Sequence, residues 1–169
     1  MLFPLPSPSC ILGIMDQYMR MALAEALGGM RANQGGPFGA VIVAPGGRVV
    51  ARAHNRVIAT KDPTAHAEIE AIREASRALG RYDLSDCAMY ASSEPCPMCL
   101  AAILWARIPR ILYGCTHEQA ARAGFSDSDI SDVIRGTSTA RPVAFEQLDE
   151  KECLIALREW EAKPDKVPY

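Results

Sequence analysis

The chain has 169 residues, 49% of them hydrophobic and 22% charged; 18 Lys and Arg against 20 Asp and Glu leave a formal net charge of −2, and six residues are cysteines. One domain is the natural count at this length, and the composition excludes intrinsic disorder, a disulfide-dense mini-scaffold and a collagen-like fibre. The near balance of charge offers no electrostatic grip on nucleic acid or an acidic membrane.

Residues 1–15 read as an N-terminal extension. The stretch lacks a basic leading region and is interrupted by Pro4, Pro6 and Pro8, so it matches neither an export signal nor a bilayer span. No other segment offers the necessary apolar run, and a soluble, cytoplasmic protein without a membrane partner is the expectation. From Asp16, Met19, Ala22, Leu23, Ala26, Leu27 and Met30 recur at helical spacing behind an N-capping side chain. Phe38 to Ala44 and Arg48 to Ala53, joined by Pro45-Gly46-Gly47, predict a hairpin. Asp62-Pro63-Thr64 predicts the start of a helix that presents Ile69, Ile72 and Leu79 on one face and stops at Gly80.

A strand over Cys87 to Ala91, a helix from near Pro97 and a strand over Arg110 to Gly114 complete a β-α-β-α-β alternation, the pattern of a sheet covered by helices. Beyond it the sequence predicts a short helix over Glu118 to Ala123, an irregular polar stretch from Ser126 to Thr139, a strand over Val143 to Leu148 and a last helix over Asp149 to Ala162. Residues 16–162 thus form one predicted domain, followed by a tail over 163–169.

Two segments concentrate chemistry: His66-Ala67-Glu68, opening one helix, and Pro95-Cys96-Pro97-Met98-Cys99, opening the next. Cys96 suits an N-cap with Pro97 at the first helical position, and Cys99 then lies on the same side of the first turn. The positive end of the helix dipole favours thiolates there. His66, Cys96 and Cys99 make three ligands for a tetrahedral zinc, and a site with three protein ligands has the open place that catalytic zinc needs. Glu68 is the candidate acid–base group. Two residues from His66, it would point about 200° away on a regular helix by the ~3.6-residue period, so a carboxylate beside the metal requires an irregular first turn. Cys10, Cys87, Cys115 and Cys153 are read as bystanders, with Cys87 and Cys115 as small buried hydrophobes in strands. His54 and His117 are read as non-ligands.

His-x-Glu followed by Pro-Cys-x-x-Cys is the signature of zinc-dependent nucleobase deaminases. On these residues the chain resembles the cytidine and deoxycytidylate deaminase superfamily from about Asp16 onward. Within it the chain is most similar to the small bacterial-type guanine deaminases, through Gly35 to Val43, Asp62 to Glu68, Glu94 to Cys99, Trp105-Ala106-Arg107 and Ala123-Gly124-Phe125. The resemblance implies a three-layer α/β/α fold around a mixed five-stranded sheet, one zinc per chain, and a homodimer that exchanges C-terminal segments. It also implies hydrolytic deamination of guanine to xanthine and ammonia, with Asn55 and Asp127 reading the base. Ser126 stands where that pattern carries a first acid before Asp127. Phe38, Trp105 and Tyr169 match pocket-lining or site-closing positions, although Phe38 and Trp105 are equally readable as core residues and Tyr169 as the end of a polar tail. The rival readings are a tRNA adenosine deaminase, a deaminase of another base or nucleoside such as guanosine or cytosine, and a binding module that has kept only the zinc. The net charge favours a small purine over RNA, and the retained Glu68 argues against a silent module.

Overall fold

In the computed structural model, which describes residues 15–138 and 143–167, the first helix starts where Asp16 permits it. The Asp16 carboxylate accepts from the amides of Tyr18 and Met19 at 2.8 and 3.2 Å, and α1 (Gln17–Arg31) follows. Strands β1 (Gly39–Ala44) and β2 (Arg48–His54) form the predicted antiparallel hairpin, joined by a 3₁₀ turn over Pro45–Gly47. A short α2 (Val57–Thr60), α3 (Ala67–Leu79), β3 (Ala88–Ser93), α4 (Pro97–Trp105), β4 (Arg110–Cys115) and α5 (His117–Arg122) complete the first of two compact units, which ends at Asp127. The second unit, from Ser128 onward, contains α6 (Ser128–Ile134) and α7 (Glu150–Ala162).

The sheet runs in the order β2-β1-β3-β4, with β1 antiparallel to both neighbours and β3 parallel to β4. Its faces are covered by different helices. Val41, Val43, Ala88 and Tyr90 pack with Ala22 of α1, whereas Ala40, Ile42, Ala51, Ala53 and Met89 pack with Ala67, Ala71 and Ala75 of α3 and Ile103 of α4. The predicted α/β/α layering is therefore present around a mixed sheet.

Four expectations need correction. The sheet has four strands among the described residues, not five: Val143 to Leu148 pairs with no strand, and its apolar side chains Val143, Phe145 and Leu148 are exposed instead of lining a core. The stretch from Ser126 is not wholly irregular, since α6 forms within it. Helix α3 begins at Ala67, because Asp62 closes a turn of its own by accepting from the Thr64 amide and hydroxyl at 2.8 and 2.7 Å. Its buried stripe is Ala67, Glu68, Ala71 and Ala75, with Ile72 and Leu79 packed at the margin. Cys115 is exposed at the end of β4, while Cys87 is buried just before β3, where burial pushes its thiol up to about 11.

The layer spacing depends on a missing side chain. A Cβ on Gly39 would stand 2.1 Å from the Ala22 carbonyl oxygen and 2.6 Å from the Ala26 nitrogen, both backbone atoms of α1. Gly39→Ala is expected to push α1 off the sheet and lower stability by roughly 1–3 kcal/mol. Urea denaturation measures it, and an unchanged midpoint would show that the helix can retreat without cost.

Candidate active site

His66 is the residue before α3 rather than a member of it. Its backbone is extended (φ −72°, ψ 156°) and its amide donates to the Thr64 carbonyl at 2.7 Å. The expected conflict between His66 and Glu68 on one helical turn therefore does not arise. Cys96 is likewise an extended N-cap, at φ −63° and ψ 167°, with Pro97 at the first helical position and Cys99 buried in the first turn of α4.

These two helix starts bring three donors together. His66 Nδ1 lies 3.6 Å from Cys96 Sγ and 3.5 Å from Cys99 Sγ, and the three ligand atoms fall within 4.8 Å of one another. A tetrahedral ion with usual Zn–S and Zn–N bonds sets its nitrogen and sulfur ligands roughly 3.6 Å apart, so the spacing fits zinc. Among the described residues no fourth His, Cys, Asp or Glu joins this group.

Protons are unevenly held within it. The Cys96 thiol drops to about 4, because Cys99 hydrogen-bonds to its sulfur and His66 adds to the effect against the cost of burial. Cys99 is pushed far up as the donor to Cys96, and burial and Glu68 push it in the same direction. His66 is raised, first by its contact with Cys96. The two thiols are thus biased in opposite directions, and a divalent ion bound here would favour the deprotonated form of both. Glu68, 8% exposed, has its carboxyl raised chiefly by burial. A carboxyl held in that state can both take and return a proton.

Asn55 follows β2, and its buried carbonyl oxygen accepts from the amides of Gly36 and Val57, each at 3.2 Å. The Asn55 amide donates to the Phe38 carbonyl, and the next residue, Arg56, donates to the Ala65 carbonyl, both at 2.9 Å. Asn55 is thereby tied to the loop that presents His66. Gly35 makes this approach possible, since a Cβ there would stand 2.2 Å from Asn55 Oδ1.

The family model for the cytidine and deoxycytidylate deaminase zinc-binding region matches residues 14–115. The chain belongs to this deaminase family. Guanine deaminase of Bacillus subtilis is 44% identical over 154 residues, covering 91% of this chain and 98% of that protein. Its X-ray structure superposes with a TM-score of 0.84 at 43% identity, covering 92% and 99% of the two chains. A tRNA-specific adenosine deaminase of Agrobacterium fabrum is 39% identical over 143 residues, covering 85% of this chain and 91% of the relative.

In this deaminase, Phe38 is half-buried against the core beneath α3, and its ring meets Phe125 edge-on at 5.0 Å between centroids. That contact sets Phe125 beside Gly36, where an added Cβ would stand 3.1 Å from the Phe125 ring, and Gly36 in turn donates its amide to Asn55 Oδ1. Trp105 is 70% exposed at the end of α4, which removes the core-packing alternative. Tyr169 and Cys10 lie outside the described residues. His54 stands apart from the group formed by His66, Cys96 and Cys99: its Nε2 is 2.6 Å from Gln34 Oε1 and its Nδ1 3.4 Å from Glu25 Oε2.

The residue that sequence reasoning passed over is His117. It lies between Glu94 and Asp127, which are 23 and 10 residues away in the chain, so no local motif announces it.

Asn55→Ala leaves two loop amides without their acceptor and is expected to cost about 1–3 kcal/mol. Asn55→Asp keeps both acceptor positions and should lose less. Urea denaturation of both variants measures the difference, and equal losses would mean that the hydrogen bonds do not hold the loop.

Proposed function

We propose that this deaminase converts guanine to xanthine and ammonia. The observation that carries the reading is the three-donor cluster with Glu68 buried beside it, in a chain that matches Bacillus subtilis guanine deaminase over nearly its full length. The proposal extends to one zinc per chain on His66, Cys96 and Cys99, a single functional domain over 16–162, a cytoplasmic location and a role in purine breakdown.

When held by these ligands, zinc supplies Lewis acidity towards water. The rest belongs to the protein. Glu68 accepts a proton from the attacking water; the new C–O bond forms at C2 of the ring, and Glu68 returns the proton to the exocyclic amine, which leaves as ammonia as the C–N bond breaks. Asn55 has its carbonyl oxygen held by two amides, so its own N–H groups are the side available to a ring acceptor. Asp127 accepts a ring N–H, and Phe38 gives an apolar wall. Trp105 and Tyr169 are retained as further contacts on the strength of the resemblance.

We also propose a homodimer with exchanged C-terminal segments. Among the described residues from Ser128 onward none is buried, and Phe145 is 94% exposed. Ordered segments without buried apolar surface have nothing to offset their conformational entropy, and a second copy can supply it. Neither nucleic acid nor membrane is expected as a partner. The net charge of −2 supports the first expectation, and no helix among the described residues is long and apolar enough to cross a membrane.

Ammonia release from guanine, guanosine, cytosine, cytidine and an adenosine-containing tRNA hairpin, each tested separately, decides the substrate. Guanine is expected to be turned over, and activity on the hairpin alone would overturn the proposal in favour of RNA. Glu68→Ala is expected to lower kcat by about 10²–10⁴ while elemental analysis still finds zinc, whereas Cys99→Ala loses the metal. Zinc loss in Glu68→Ala would make Glu68 a ligand instead.

A further inference from the structure

His117 opens α5 behind the Thr116 cap and contacts two carboxylates of different loops. Its amide donates to Glu94 Oε2 at 3.2 Å, its Nε2 is 3.7 Å from Glu94 Oε1, and its Nδ1 is 3.2 Å from Asp127 Oδ1. Glu94 stands two residues before Cys96, and its own amide donates to the Cys115 carbonyl at 2.8 Å. The imidazole therefore joins the strand end that leads into the metal thiols to the segment carrying Asp127.

The other Asp127 oxygen differs. Oδ2 is buried and has no hydrogen-bond partner among the described residues. A buried carboxylate oxygen left without a donor is costly unless a donor arrives from elsewhere, and an incoming N–H group meets that need. On the reading that Asp127 binds the base, that donor is a ring N–H.

We propose that His117 is a positioning residue for substrate recognition: by engaging Asp127 Oδ1 and Glu94 together, it fixes the Asp127 carboxylate with Oδ2 turned to accept from the bound purine. The proposal rests on the base-reading role given to Asp127 above. It assigns His117 to binding and not to proton transfer, so its loss acts on KM. The side chain is itself partly exposed, and its truncation removes little packing.

Steady-state guanine deamination by the zinc-loaded full chain tests this. His117→Leu is expected to raise KM roughly tenfold with kcat within about threefold of wild type. His117→Asn, whose amide N–H takes the place of Nδ1, is expected to restore KM to within about threefold. An unmoved KM in His117→Leu, or no rescue by His117→Asn, overturns the proposal. If wild-type protein leaves guanine unchanged, the proposed function fails and the positioning role is read from ¹⁵N spectra of the imidazoles, since the chain has three histidines. Asp127→Ala is then expected to shift the His117 nitrogens and leave those of His54 in place. Unmoved His117 resonances overturn it.

Discussion

The distance between α3 and the sheet governs everything at the metal cluster, and alanine sets it. Ala67, Ala71 and Ala75 are fully buried on the helix side, facing Ala40, Ala51 and Ala53 within the same core cluster. Small side chains on both surfaces let the backbones approach closely, and the packed interior transmits a change of one methylene. A larger residue at any of these positions would lift the start of α3 and carry His66 away from the two thiols. Glu68 shares this stripe, so its burial is a product of the same close packing and raises the carboxyl without a partner charge being needed.

The two cysteines of the cluster are biased in opposite directions: contact with Cys99 and His66 lowers the Cys96 thiol, while Cys96, burial and Glu68 raise that of Cys99. A positive ion among these donors would favour two thiolates and a neutral imidazole, since an opposite charge stabilises the ionised thiols. Ligand geometry is nevertheless built from backbone features that no ion supplies: extended residues at two helix starts, a proline at the first position of α4 and the turn closed by Asp62. The fold fixes where the donors stand, and a bound cation would favour their deprotonated forms.

The chemistry was more legible in the sequence than the architecture. His66, Glu68, Cys96 and Cys99 lie in two short motifs whose helix-start context is itself written in Pro97 and the flanking residues, and α1, the hairpin, β3, α4, β4, α5 and α7 follow local patterning. Errors arose where partners are distant or unconventional. On α3, Ile72 and Leu79 pack against the core as their spacing suggests, but only at its margin, because alanines bury more completely than larger neighbours at a tight interface. Val143 to Leu148 has strand-like residues, but a strand requires a neighbouring backbone, and none pairs with it. His117 gains its meaning only when Glu94 and Asp127 are brought together by the β4–α5 junction.

The hydrogen bonds at Asn55 have a consequence for how the end of β2 can change over generations. One carbonyl oxygen anchors two loop amides, so any substitution that removes it also loosens the hairpin end and the histidine loop with it. Asp127 carries no such duty to the backbone on its unpartnered oxygen. Substitution is thus borne more readily at Asp127 than at Asn55, where two backbone amides depend on the side chain.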